Sequence, residues 1–173
     1  MRTEASGVTE ALIQNAENEF LKYGFKDASL RRIASASGVS TNSIYSRFGD
    51  KAGLFREIVK EAADGMMDIY LDCIQNAEKA LSVERAIQEG SDGTDVVLKY
   101  IYEHKKAFQL IFCYSAGTEY ENYFDRLAEI EERYYQKFAR KYSGDGKKID
   151  DFFIHVHCRT EWQYMYEVLT HDT

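Results

Sequence analysis

Ser40, Thr41, Asn42, Ser43, Ser46 and Arg47 are the side chains here best suited to reading another molecule's hydrogen-bond pattern. They are small donors and acceptors with one cation, gathered on the outer side of a short helical pattern. A second short pattern precedes it across Ser37-Gly38. Leu30, Ile33 and Ala34 point inward in the first, and Val39, Ile44 and Phe48 do so in and after the second. Two short helices meeting at a tight turn form a helix-turn-helix, which lays the outer face of its second helix in the DNA major groove. The chemistry expected is recognition of base edges and phosphates. Periodicity alone fits equally a helix-turn-helix scaffold that binds no DNA.

Charge is distributed in a way that favours the first reading. The formal net charge is −7, yet residues 1–52 hold seven Lys/Arg against six Asp/Glu. Four of those cations, Arg31, Arg32, Arg47 and Lys51, lie in or beside the two short helices. Salt screens charges beyond roughly 8 Å at physiological ionic strength, so phosphate attraction is a local matter. Arg32 reads as a solvated or ion-pairing residue rather than a reader.

The elements that must position this face are helical. There is no Pro, the Gly residues stand mostly between periodic segments, and 45% hydrophobic residues can build a core. Leu12, Ile13, Ala16, Phe20 and Tyr23 mark a first helix over about 9–23, ended by Gly24. Ser29, Ser40 and Asp50 are N-caps for the second, third and fourth helices. The fourth is long, from Lys51 to about Ala80, and Gly65 is either a bend or a small-residue contact in it. Ser82 caps a segment broken at Gly90-Ser91-Asp92-Gly93, and Thr94 starts another to about Glu103. A short apolar segment follows over 104–115. A long amphipathic helix runs from Glu119 to Tyr142, Ser143-Gly144-Asp145-Gly146 turns, and a last helix covers about 149–169. That last helix has two apolar faces, so one has a partner outside its own bundle. The expected architecture is all-α: a three-helix head over residues 1–52, a long fourth helix, and a helical bundle within 53–173. A head of about fifty residues is small to stand alone and should lean on the rest.

With these residues in place, the N-terminal third resembles the tetracycline-repressor (TetR) family of bacterial transcription regulators. The match runs through Ile13, Ala16, Phe20 and Gly24-Phe25, then Ser29-Leu30, Ile33-Ala34, Gly38-Val39-Ser40, Ile44-Tyr45, Phe48, Lys51 and Leu54-Phe55. Over residues 56–173 the resemblance is one of length and helix order. Glu17 stands where a small apolar residue is usual, and Gly53 where an acidic helix former is usual. The family commonly adds a helix after the segment ending near Thr170, so this chain is expected to supply one of the two dimerisation helices.

The resemblance implies roles. Ser29 would hold a phosphate at the start of the second helix, and Arg31 would reach a base edge from it. Ser40, Thr41, Asn42 and Ser43 would open the reading helix, with Asn42 suited to adenine and the Thr41 methyl to thymine. Tyr45, Arg47 and Lys51 would meet the DNA backbone. The family also implies a small apolar or aromatic effector in the body, for which Met66, Met67, Tyr70, Tyr100, Phe108, Phe112, Tyr123, Tyr134 and Trp162 are candidates. Each of these, taken singly, fits core packing better. Ile154, Cys158, Trp162 and Met165 on the last helix are expected at a homodimer interface.

The expected function is a cytoplasmic, ligand-responsive transcriptional regulator. It would repress as a dimer on a palindromic double-stranded operator and be released by a small molecule; activation fits the sequence as well. An alternative is a helical small-molecule-binding protein or enzyme with a vestigial head. No cofactor, metal or membrane partner is expected. His155 and His157 lie two apart on a helix and point in opposed directions, so they cannot chelate together. Cys73, Cys113 and Cys158 read as reduced thiols. No nucleophile elbow or phosphate loop is present, and the scattered Asp and Glu residues read as solvated helix faces.

Overall fold

The computed structural model describes Arg2 to Gly144 and Ile149 to His171, with side chains from Gly7 onward. Its regular structure is entirely helical: α1 (Arg2–Asp27), α2 (Leu30–Ala36), α3 (Thr41–Phe48), α4 (Lys51–Glu78), α5 (Val83–Glu103), α6 (Lys105–Cys113), α7 (Tyr123–Tyr142) and α8 (Asp151–His171). Among the described residues no helix is long and apolar enough to cross a membrane. The turn expected at Ser143–Gly146 lies partly outside the described residues.

The helices form two compact units. One joins Met1–Ala63 to Lys106–Glu121, the other Asp64–Lys105 to Asn122–Thr173. The small head thus leans on α6 and the turns after it, and its compact unit extends beyond a cut at residue 52.

In the first unit α1 loses helical geometry at Gly24 (φ 72°, ψ 166°), where an ending was expected. Phe25, just past that point, donates its backbone N–H to the Tyr114 carbonyl at 3.0 Å. Its ring meets Phe55 of α4 edge-on at 5.6 Å, and Phe20 meets Phe55 in the same way at 5.1 Å. Tyr120 adds a tilted ring 6.2 Å from Phe55. Edge-to-face packing of buried rings contributes beyond the area it removes from water. Glu17, unusual at an apolar position, gives its carboxylate to Lys106 Nζ of α6 at 2.8 Å.

Asp50 caps α4 as expected, accepting the Gly53 N–H at 2.7 Å. Gly53 is explained by the same tight corner. A Cβ there would overlap the Phe48 carbonyl oxygen, so no acidic helix former fits.

A contact with no local sequence signal organises α2. Glu19 of α1, with a side chain 10% exposed, accepts the Ser29 N–H at 2.9 Å and Arg32 Nε at 2.7 Å. Arg32 also donates to the Asp27 carbonyl at 3.0 Å and lies 4.4 Å over the Tyr23 ring. The expectation that Arg32 pairs within the chain is borne out.

In the second unit α4 continues through Gly65 without a break. A Cβ at Gly65 would overlap the Tyr100 hydroxyl, so the residue serves close packing rather than a bend. The break expected at Gly90–Gly93 does not occur, because α5 passes through it from its Ser82 cap. Gly93 is buried, and a Cβ there would stand 3.0 Å from Cys73 Cβ of α4. Helix-to-helix contact offsets a helix cost of about 1 kcal/mol per glycine. The next helix begins at Tyr123 rather than Glu119, since residues 115–121 turn: Thr118 donates to the Ser115 carbonyl at 2.9 Å, and Gly117 to Glu121 Oε2 at 2.9 Å.

The last helix requires a correction. Ile154, Cys158 and Trp162, expected at an outer interface, are buried inside this chain, and Met165 is half-buried. Ile154 and Cys158 pack with Ala139 and Tyr135 of α7, and Trp162 meets Tyr70 of α4 edge-on at 5.5 Å. The exposed face is the other one: Phe152 (73% exposed), Phe153, Val156, Tyr164 and Val168.

Glu19 generates the first prediction. Burial pushes its carboxyl up, but the Arg32 guanidinium and the Ser29 N–H outweigh this and hold it below the ordinary value of 4.5. Its stabilising contribution is therefore complete above pH 4.5 and is lost as pH falls through the lowered value. Glu19→Gln should cost about 1 kcal/mol at pH 7, a cost that shrinks on acidification below pH 4.5. Melting curves by circular dichroism at both pH values check this; an equal cost at both would sink it.

Candidate nucleic-acid interface and effector cavity

The turn between α2 and α3 is closed by backbone bonds. Ser37 donates to Ile33 at 3.0 Å and Val39 to Ala34 at 3.0 Å, with Gly38 at φ 65° between them. Asn15 of α1 donates its side-chain amide to Ser37 Oγ at 3.1 Å. Ser40 then caps α3, its Oγ accepting the Ser43 N–H at 3.3 Å. Ile33, Ala34 and Ile44 are buried beneath. The inner positions expected from periodicity thus hold the helix pair, and the polar ones are left outside.

Asn42, Tyr45, Ser46 and Arg47 are exposed, Tyr45 by 52%, while Thr41 and Ser43 are half-buried. Ser46 is directed inward along its own helix, donating to the Asn42 carbonyl at 2.8 Å. Its hydroxyl proton is therefore engaged, whereas the Asn42 amide has no partner among the described residues.

The four cations fall into two pairs. Arg32 is held by Glu19. Lys51 donates to the carbonyls of Lys26 at 3.0 Å and Ala28 at 3.2 Å, and lies 4.7 Å over the Phe25 ring. Lys51 therefore ties the exit of α1 to the start of α4, and an ammonium with three donors keeps one for another acceptor. Arg31 and Arg47 are exposed and form no ion pair among the described residues. Ser29 is engaged as well: its N–H goes to Glu19, and its Oγ stands 3.5 Å from the Arg32 N–H it caps.

The body contains a cavity of about 580 Å³ inside the second unit. Tyr70, Cys73, Ile74 and Ala77 of α4 line it, with Val97 and Leu98 of α5, Glu131, Tyr134, Tyr135 and Phe138 of α7, and Glu161, Trp162 and Met165 of α8. Of the expected effector residues the structure brings together Tyr70, Tyr134 and Trp162. Met66 is fully buried core, Phe108 is core of the other unit, and Met67, Tyr100, Phe112 and Tyr123 do not line the cavity.

Glu131 departs from the solvated face expected of the scattered acids: its Oε2 is buried, with the Trp162 indole and the Glu161 carboxyl nearby. Burial and the neighbouring Glu161 push its carboxyl up to about 8. The available signal was register: Leu127, Glu131, Tyr134 and Phe138 follow one another at helical spacing on the inner stripe.

His155 and His157 face different partners, Glu132 at 3.0 Å and Glu161 at 3.2 Å. Cys73, Cys113 and Cys158 are free thiols. Burial pushes Cys113 up to about 11; burial and the nearby Glu131 push Cys158 up to about 12. These thiols are poor nucleophiles near neutral pH.

Comparison with known proteins places this geometry. The profile of "Bacterial regulatory proteins, tetR family" matches residues 12–58. The chain is 34% identical over 70 residues to the HTH-type transcriptional repressor BepR of Brucella suis, covering 40% of this chain and 34% of that protein. It is 32% identical over 60 residues to the HTH-type transcriptional repressor AcnR of Corynebacterium glutamicum, covering 35% and 32%. The matched part therefore spans about a third of the length of these relatives. A solved Clostridium perfringens structure, provisionally assigned as a fatty acid metabolism regulator, superposes with a TM-score of 0.61. Identity there is 17%, over 94% of this chain and 88% of that one, so the likeness is one of fold. Over residues 12–58, its helix-turn-helix head, the chain is similar to the TetR family of bacterial regulatory proteins.

Proposed function

We propose that this chain is a DNA-binding transcriptional repressor acting as a homodimer on a palindromic operator and released by a small molecule. The observation that carries the reading is the outer face of α3. Asn42, Tyr45 and Arg47 are exposed there on a helix pair whose inner residues Ile33, Ala34 and Ile44 are buried, within the segment matching the family. In this reading residues 1–52 form the DNA-binding part. Arg31, Thr41, Asn42 and Ser43 read base edges, while Ser29, Ser40, Tyr45, Arg47 and the remaining donor of Lys51 meet the backbone.

A dimer must hold its reading helices one DNA turn apart, about 34 Å. The exposed stripe of Phe152, Phe153, Val156, Tyr164 and Val168 on α8 is the proposed contact between copies. Exposed apolar side chains gathered on one helix favour association. The effector acts from the cavity in the body. Helix α4 supplies the link, since Tyr70, Cys73 and Ala77 line the cavity and Lys51 and Phe55 belong to the head. A ligand shifts operator affinity only as far as it prefers one of the two states.

The reading is tested by fluorescence anisotropy with DNA from upstream of the chain's own gene, titrated over salt. Binding should weaken steeply as salt rises; no binding at low salt would overturn it. Asn42→Ala should relax sequence preference by about 1–3 kcal/mol at one position, whereas Arg47→Ala should weaken all sites alike and lower the salt slope by about 1. Equal losses for both variants on every sequence would remove the division between reader and backbone contact. Phe153→Asp should shift the protein to monomer in sedimentation and weaken operator binding with the helix content retained. An unchanged mass would move the dimer surface elsewhere.

A further inference from the structure

We propose that the cavity bounded by α4, α5, α7 and α8 is built for a lipophilic organic cation, with Glu131 as its counter-charge and Tyr70, Tyr134, Tyr135 and Trp162 as its aromatic surround. The inference deepens the effector reading and rests on it for its biological role.

A volume of about 580 Å³ falls in the range of small-molecule sites, roughly 300–1,000 Å³. Ile74, Val97, Leu98 and Phe138 give it apolar walls. Its charged lining has one sign: Glu131 and Glu161 are present, and no Lys, Arg or His is among the lining residues. Tyr70 Oη and Glu131 Oε2 border this space, buried and outside good hydrogen-bonding geometry with the described residues, although the Trp162 indole lies near both and Glu161 near Glu131. Tyr70 is only 6% exposed, so solvent does not serve its hydroxyl freely. Buried polar groups without partners are costly, and a native structure meets them with something.

The chemistry of that something is restricted. A carboxylate or phosphate would bring a second negative charge beside Glu131 and find no cation to answer it. A neutral apolar molecule would fill the walls and leave both polar atoms unmet. An organic cation neutralises Glu131 and lies against ring faces, which attract positive charge most strongly where water is excluded. Tyr70 and Trp162 stand edge-on at 5.5 Å, and Tyr134 packs 5.2 Å from Tyr135, so several rings face the same space. The raised Glu131 carboxyl agrees with this. Without a cation the site holds a proton in its place. Glu161 is partly directed elsewhere, toward His157 Nε2 at 3.2 Å, which leaves Glu131 as the principal counter-charge.

The test uses three ten-carbon probes below their micelle-forming concentrations: decyltrimethylammonium, decanoate and decanol. Each is titrated into the full chain and followed by calorimetry and by the fluorescence of Trp162, the only tryptophan. The cation should bind about tenfold more tightly than either of the others. Glu131→Gln should remove about that factor for the cation and leave decanol affinity unaltered, which also shows that the variant keeps its fold. Decanoate binding as tightly as the cation, or a variant that binds the cation undiminished, overturns the proposal. Operator release is measured in parallel. A cation that fills the cavity without altering DNA binding supports the site and removes its effector role. Release by decanoate without cation binding keeps the effector role and removes this proposal.

Discussion

The packing of Phe20, Phe25 and Phe55 is the constraint on which the head depends. Two of these rings come from α1 and one from α4, and they meet edge-on across a junction where the chain has just left helical geometry at Gly24. Lys51 covers the same junction, with its ammonium over Phe25 and on the carbonyls of Lys26 and Ala28. The start of α4 is thereby held against the end of α1 by apolar and polar contacts together. With that corner held, Glu19 can orient α2 through Ser29 and Arg32, and α2 in turn presents α3. The exposed polar face is thus the last link of a chain of contacts that begins in buried rings.

What could be read from sequence was what physical chemistry makes local. Ser29, Ser40, Ser82 and Asp50 each accept a backbone N–H three residues on, so a cap is legible from its own neighbourhood. The inner positions of α2 and α3 were legible for the same reason, because helical spacing alone assigns them. Features decided by a distant partner were not. The glycines of α5 read as a break because nothing nearby reveals that Cys73 packs against Gly93. The two faces of α8 were equally apolar, and only α7 and Tyr70 decide which of them turns inward. Glu19 and Glu131 looked like ordinary surface acids, since what decides them lies on other segments: Ser29 and Arg32 for Glu19, Trp162 and Glu161 for Glu131.

The two carboxylates illustrate how environment assigns opposite tasks to one residue type. Glu19 meets a guanidinium and a backbone donor, remains ionised and serves architecture. Glu131 meets rings and a second acid, and burial raises it toward neutrality. Helix α4 belongs to both settings. Its first turns carry Lys51 and Phe55, and its later turns carry Tyr70 and Cys73 at the cavity. Gly65, in the later part, is packed against Tyr100.

The separation of the head cations into engaged and unengaged pairs bears on how such a protein would search a genome. Non-specific affinity for DNA grows with the number of phosphates neutralised, because each releases condensed counterions. Arg32 is occupied by Glu19 and Lys51 largely by carbonyls, so of the four cations in or beside α2 and α3 it is Arg31 and Arg47 that stay open to phosphate, on a chain of net charge −7. Few counterions would be released on arbitrary sequence, and residence there would be brief. The chromosome offers on the order of 10⁶–10⁹ competing sites, and weak retention at each leaves more of the protein free to reach the one it reads.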